Sequence, residues 1–181
     1  GTNQLIVGSD KSFSFDQIFA KDVSQQQVFA ELVQPMLHYF LTGYNCSVIA
    51  YGQTGSGKTF TMGTGLDGNL DELTQGIVPR SVEHIFDQLL EQENSWEMLV
   101  SFLEIYNEDI IDLLSPSESK KSSIAIREDV GGEIYLAGIK EEPVRSSSEI
   151  LRYFSSTFSL MRSTTVFFKE VHYVERQRAP T

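Results

Sequence analysis

Apolar and polar positions change period several times along this chain, and each change marks an element. Leu5 to Val7 and Phe13 to Phe15 flank the turn-rich stretch Gly8 to Lys11, which predicts an opening β-hairpin. The period then lengthens. Val28, Phe29, Leu32, Val33, Met36, Leu37, Phe40 and Leu41 recur at helical spacing behind an S-x-x-Q capping pattern made by Ser24 and Gln27. Gly43 ends that helix, and Pro35 inside it predicts a kink. Ser47 to Tyr51 is a short apolar run of the kind a buried strand shows. Gly63 to Gly76 carries four glycines and the acids Asp67, Asp71 and Glu72, and reads as a long exposed loop.

Pro79 suits the first turn of the next helix, whose apolar stripe is Val82, Ile85, Phe86, Leu89 and Leu90. Trp96 to Tyr106 predicts a strand, and Asn107 is placed to cap a short helix running to Leu114. Ser115 to Ser123 is a polar loop. Ile124 to Arg127 and Glu133 to Leu136 read as short strands around a turn, and Ser146 with Glu149 forms a second capping box. The helix behind it carries Leu151, Phe154, Phe158 and Met161 on one face, and Thr165 to Val174 is the last strand candidate. With no internal repeat and no dividing linker, residues 1–181 read as one α/β domain.

Composition narrows the function. A chain of 181 residues with 40% apolar side chains is long enough to bury ~70% of its unfolded surface around one core. Its 14 basic against 25 acidic residues give a net charge of -11, which argues against nucleic acid or an anionic membrane as a partner. An anionic ligand must be captured locally, and this is feasible because screening confines repulsion to ~8 Å at physiological salt. One cysteine, Cys46, rules out an internal disulfide and fits a reducing compartment. No apolar run approaches the ~20 residues of a membrane span and no secretory leader is evident, so the expected setting is soluble and cytoplasmic. The sequon at Asn45 is then a chance match, and His38, His84 and His172 are too scattered to suggest a metal site.

The chemistry concentrates between Gly52 and Thr59. Gly52-Gln53-Thr54-Gly55-Ser56-Gly57-Lys58-Thr59 satisfies G-x-x-x-x-G-K-[ST] in full, between a predicted strand and a predicted helix. Glycines allow the backbone to approach phosphates closely, Lys58 reaches the β- and γ-phosphates, and the Thr59 hydroxyl ligates Mg²⁺. A phosphate-bearing nucleotide with Mg²⁺ is the expected ligand. Hydrolysis further requires a carboxylate in the Mg²⁺ shell and a positioned water. Asp129 opens a D-x-x-G match, with Glu104 and Asp112 as rivals, while turn, strand-face and helix-surface roles are the plainer readings of all three.

The order of motifs resembles the kinesin motor domain. The resemblance rests on "FSFDQIF" (13–19), "QQVFAELVQPM" (26–36), "GYNCSVIAYGQTGSGKTFTMG" (43–63), "GIVPR" (76–80), "FLEIYNEDIIDLL" (102–114) and "IREDVGGEIYLAGI" (126–139), and covers about Leu5 to Thr165. It implies a P-loop NTPase-like mixed sheet flanked by helices, and an ATPase, with ATP or ADP and Mg²⁺ as its cofactors, that couples nucleotide state to microtubule affinity at the cytoskeleton. It also implies that Tyr44 is the adenine-side tyrosine, that the strands around Gly131 form a minor microtubule-contacting hairpin, and that Asp129 belongs to this hairpin rather than to a switch. The family's R-x-R-P, N-x-x-S-S-R-S-H and D-L-A-G-S-E motifs do not occur in the chain. The expectation is therefore an incomplete kinesin motor domain whose catalytic residues stay unassigned. Its unpaired edges would favour aggregation or call for a partner. The alternatives are a nucleotide-binding or interaction module of kinesin descent without hydrolysis, or an unrelated P-loop kinase, for which no acceptor site is visible.

Overall fold

The computed structural model describes residues 3–63, 73–91, 96–115, 124–132, 134–158, 167–168 and 171–175. The chain opens with the expected hairpin, β1 (Gln4–Val7) against β2 (Lys11–Ser14), in which Leu5 faces Phe13. Ser24 then caps α1 (Gln25–Val28), its hydroxyl accepting from Gln27 N–H at 3.1 Å. A π-helical turn (Phe29–Val33) and α2 (Gln34–Leu41) follow without interruption. Pro35 has no N–H for the Glu31 carbonyl, and its ring crowds that oxygen. The helix responds by widening, and Gln34 N–H reaches back five residues to Phe29 O.

Next come α3 (Lys58–Gly63) and α4 (Ile77–Leu90), the latter the centre of the core. Val82, Ile85, Phe86 and Leu89 of α4 are buried among Phe29, Val33 and Leu37 from the first helices and Met98 and Val100 from the strands behind. Leu90 departs from its predicted place in the stripe and is 73% exposed. It lies about 100° round the helix from Leu89, past the edge of the buried face.

The Trp96 to Tyr106 run is two strands rather than one, β3 (Trp96–Val100) and β4 (Leu103–Tyr106), separated by the buried pair Ser101 and Phe102. The short helix expected after Asn107 is instead β5 (Asp109–Asp112), hairpinned onto β4 with Tyr106 opposite Asp109. Asn107 and Glu108 stand at φ +49° and +69°, the double left-handed turn that joins two strands and that a right-handed helix excludes. β6 (Ala125–Glu128) pairs with β7 (Ile134–Ala137) close to the predicted bounds. β8 (Glu142–Val144), which no pattern announced, adds an edge to β3 with Pro143 opposite Leu99, a position where proline is tolerated.

α5 (Ser147–Phe158) is capped at Ser146, whose Oγ accepts from Glu149 N–H at 3.3 Å, while Glu149 Oε2 accepts from the N–H of Arg145, one residue before the cap, at 2.7 Å. The last predicted strand is divided into β9 (Phe167–Phe168), on β4, and β10 (Val171–Glu175), on β3. The fold is α/β, and its described ladders, β1-β2, β10-β3-β8, β5-β4-β9 and β6-β7, are all antiparallel. Residues 64–72 and 116–123, with Met161 and Thr165, lie outside the described residues.

Ser47 to Tyr51 departs most from expectation. It has the burial alternation of a strand, with Val48 and Ala50 half-buried and Ser47, Ile49 and Tyr51 exposed, yet it joins no ladder among the described residues. Ile49 is 81% and Tyr51 99% exposed. An apolar run prepares a segment for a sheet, but the hydrogen bonds of a neighbouring strand are what make it one.

Candidate nucleotide-binding site

The loop that follows Tyr51 turns twice through conformations that side chains resist. Gly55 and Gly57 stand at φ +81° and +91°, and a Cβ added at either would meet nothing within 4 Å. Backbone conformation, not space, reserves both places for glycine. Successive backbone groups of alternating hand form a concave nest suited to an anion. Ser56 N–H closes the loop on Gln53 O at 3.2 Å, and Thr61 N–H donates to Gly57 O at 2.9 Å as α3 begins.

Lys58 is half-buried, and its ammonium donates to Gly52 O and to Gln53 O, each at 2.7 Å. The side chain thus folds back over the loop that precedes it. Both acceptors are neutral carbonyls, which satisfy the donors without cancelling the charge. Thr59, the next residue, is exposed on the first turn of α3. Residues 52–59 therefore form one loop and helix start that presents a cation and a hydroxyl together, and this donor set fits a phosphate with its metal ion.

Tyr44 belongs to a different support. Its N–H donates to Tyr39 O at 3.1 Å, and its ring meets the Tyr39 ring edge-on, with centroids 6.2 Å apart at 90°. The end of α2 holds it in place, with much of the ring open to solvent. Cys46 Sγ lies 3.5 Å from Met36 O and ties the following residues to the same helix.

The three rival carboxylates have structural partners. Asp112 is fully buried and accepts from Leu114 N–H at 2.8 Å, Ser115 Oγ at 2.9 Å and Lys140 N–H at 2.8 Å, clamping the end of β5 to the approach to β8. Lys140 in turn pairs with Glu142 at 2.5 Å, and this hydrogen bond leads the causes that raise the lysine above its ordinary pKa. Asp129 accepts from Gly131 N–H at 2.7 Å within the β6-β7 turn. Glu104 is buried on β4, opposite Ile111. Asp112 is not the helix-surface charge its plainer reading expected, because the segment after Asn107 is a strand and not a helix, whereas Glu104 lies on a strand as expected, at a buried position.

Two buried polar side chains to which the sequence assigned no site role also reach this neighbourhood. Gln25 Nε2 donates to Phe60 O in α3 at 2.6 Å, and Arg80 joins α4 to α1 through Gln26. The sequence held one signal for them, polar residues at the heads of apolar helices, where burial demands a partner.

The family model described as Kinesin motor domain matches residues 2–166. The chain belongs to the kinesin motor domain family. It is 38% identical over 167 residues to Kinesin-like protein KIF21A of Homo sapiens, covering 84% of this chain and 10% of that protein. It is 43% identical over 152 residues to Chromosome-associated kinesin KIF4 of Gallus gallus, covering 82% of this chain and 12% of the relative. A solved structure of a fast kinesin, described with implications for ATPase mechanism and interactions with microtubules, superposes with a TM-score of 0.74 at 31% identity. That match covers 88% of this chain and 47% of the solved one. This kinesin chain thus spans about half of the solved neighbour and roughly a tenth of the curated relatives.

Proposed function

We infer that this chain is the nucleotide-binding part of a kinesin motor, taking Mg²⁺-bound ATP and ADP on residues 52–59 and coupling nucleotide state to microtubules. The observation that carries the reading is the Lys58 ammonium, half-buried and held by two neutral carbonyls beside the exposed Thr59. Lys58 exchanges those carbonyls for phosphate oxygens, Gly52, Gln53, Thr54, Gly55, Ser56 and Gly57 wrap the phosphates with backbone, and the Thr59 hydroxyl ligates Mg²⁺. The exposed Tyr44 ring offers a stacking face on the adenine side. Microtubules enter as partner through the family and through the β6-β7 hairpin, which exposes Ile126, Val130, Ile134 and Tyr135. The setting is the cytoskeleton; no helix among the described residues is long and apolar enough to cross a membrane.

Calorimetric titration of the 181-residue chain with ATP and ADP, with and without Mg²⁺, tests this. Mg²⁺-dependent binding that Lys58→Ala abolishes is the expected result, followed by turnover measured with and without microtubules. Absence of binding in a folded sample removes the reading.

A further inference from the structure

The phosphate-site reading of residues 52–59 is the foundation here, and the further point is how the helix that carries Lys58 and Thr59 is held. From one side, Gln25, only 6% exposed, donates to Phe60 O at 2.6 Å. From the other, Gly76 brings the start of α4 against the end of α3. A Cβ added to Gly76 would stand 2.7 Å from Gly63 N and 2.8 Å from both Met62 C and Thr61 O, all of them backbone atoms. Only glycine permits that approach.

Arg80 links the two holds. Its Nε donates to Gln75 O at 2.9 Å, its Nη1 to Gln26 Oε1, and its backbone N–H to Gly76 O at 3.4 Å. Gln25 and Gln26 are chain neighbours, as are Gln75 and Gly76. The contacts therefore close into a ring that leaves α3 through Gln25, crosses from α1 to α4 through Arg80, and returns to α3 at Gly76. Arg80 is itself 7% exposed, and its planar fork of donors holds a carbonyl and an amide oxygen in fixed relative directions, which the ammonium of a lysine on its flexible stem does not.

We propose that Gln25 and Arg80 are positioning residues for the metal-nucleotide complex, setting the placement of α3 so that the Thr59 hydroxyl and the Lys58 ammonium address the same phosphate and Mg²⁺ group. Neither touches the ligand. The two groups on α3 differ in tolerance. An ammonium on a flexible stem follows a phosphate through small displacements of its helix, whereas Mg²⁺ demands near-octahedral ligands at about 2.0–2.1 Å. Loosening α3 therefore weakens the Mg²⁺-dependent part of nucleotide affinity more than the metal-free part. Simple loss of folded protein lowers both in proportion.

The experiment titrates the full chain with ADP, with and without Mg²⁺, in the wild type, Gln25→Met and Lys58→Ala, with thermal melts of each. Gln25→Met keeps the length of the side chain and removes the donor. The gain in affinity from Mg²⁺ is expected to fall about tenfold in Gln25→Met, the scale of one lost hydrogen bond, with metal-free affinity falling by less. An unchanged ratio in a folded Gln25→Met protein overturns the positioning role and leaves the phosphate site standing. Failure of the wild type to bind, or wild-type affinity in Lys58→Ala, overturns the phosphate-site reading itself. If Gln25→Met does not fold, the same ratio is read on Arg80→Lys, which keeps the charge and loses the fork; a wild-type ratio there overturns the proposal.

Discussion

The two sides of the glycine loop are supported in opposite ways. Behind it, α3 is held by the buried side chain of Gln25 and by the buried backbone of Gly76 at the start of α4. Ahead of it, Ser47 to Tyr51 arrives with Val48 and Ala50 turned inward, Ile49 and Tyr51 open to water, and no ladder partner among the described residues. The loop nevertheless has its closing bond at Ser56, its left-handed glycines and its folded-back lysine. Among the described residues, the contacts that shape this loop come from its own backbone and from the helices packed behind it.

Lys58→Ala breaks this contrast at its centre. Nucleotide affinity measured by calorimetry is expected to fall on the order of 100-fold or more, since a charge-assisted contact to phosphate is removed, while the melting temperature barely moves. On the supported side, Leu89→Ala empties a fully buried position of α4 and is expected to cost about 2–5 kcal/mol in chemical denaturation. On the open side, Tyr51→Ser is expected to change stability by less than about 0.5 kcal/mol. A large cost at Tyr51 would mean that this face is covered in solution, and the contrast would collapse.

Between these lies Gly55→Ala, in the loop itself. It meets no steric obstacle but must adopt φ +81°, so a loss of about 1 kcal/mol is expected, visible in the same denaturation series. The smallest effect belongs to Glu142→Gln, remote from the loop. The raised Lys140 pKa means that the folded state holds that proton more tightly than the unfolded chain. Its stabilisation is complete below the ordinary lysine pKa and is lost as pH rises through the folded value. The difference between wild type and Glu142→Gln in a pH series of melts should therefore be constant at neutral pH and vanish only in the alkaline range.

Short-range features were legible in the chain. Both serine N-caps, the β1-β2 and β6-β7 hairpins and the stripe of α4 rest on residues close together along the chain. The turn at Asn107 was misread because a helix cap and a left-handed hairpin turn favour the same residue. What separates them is whether Ile110 and Ile111 find a strand to pair with, and β4 supplies it. The division of Trp96 to Tyr106 has a similar cause, since its two halves join different sheets, β3 with β8 and β10 and β4 with β9 far along the chain besides the adjacent β5.

The sequence by itself determined the phosphate motif, the family and most local elements, because glycine conformations, caps and apolar periods act within a turn or two of the backbone. Tertiary structure alone decided that Ser47 to Tyr51 stands without a ladder partner among the described residues and that Asp112 is a clamp. It also decided that Gln25 and Arg80 close a ring around α3. The clamp and the ring depend on groups brought together across 28 to 54 residues of chain, where burial removes water as an alternative partner and hydrogen bonding must be completed by whatever the fold places within reach.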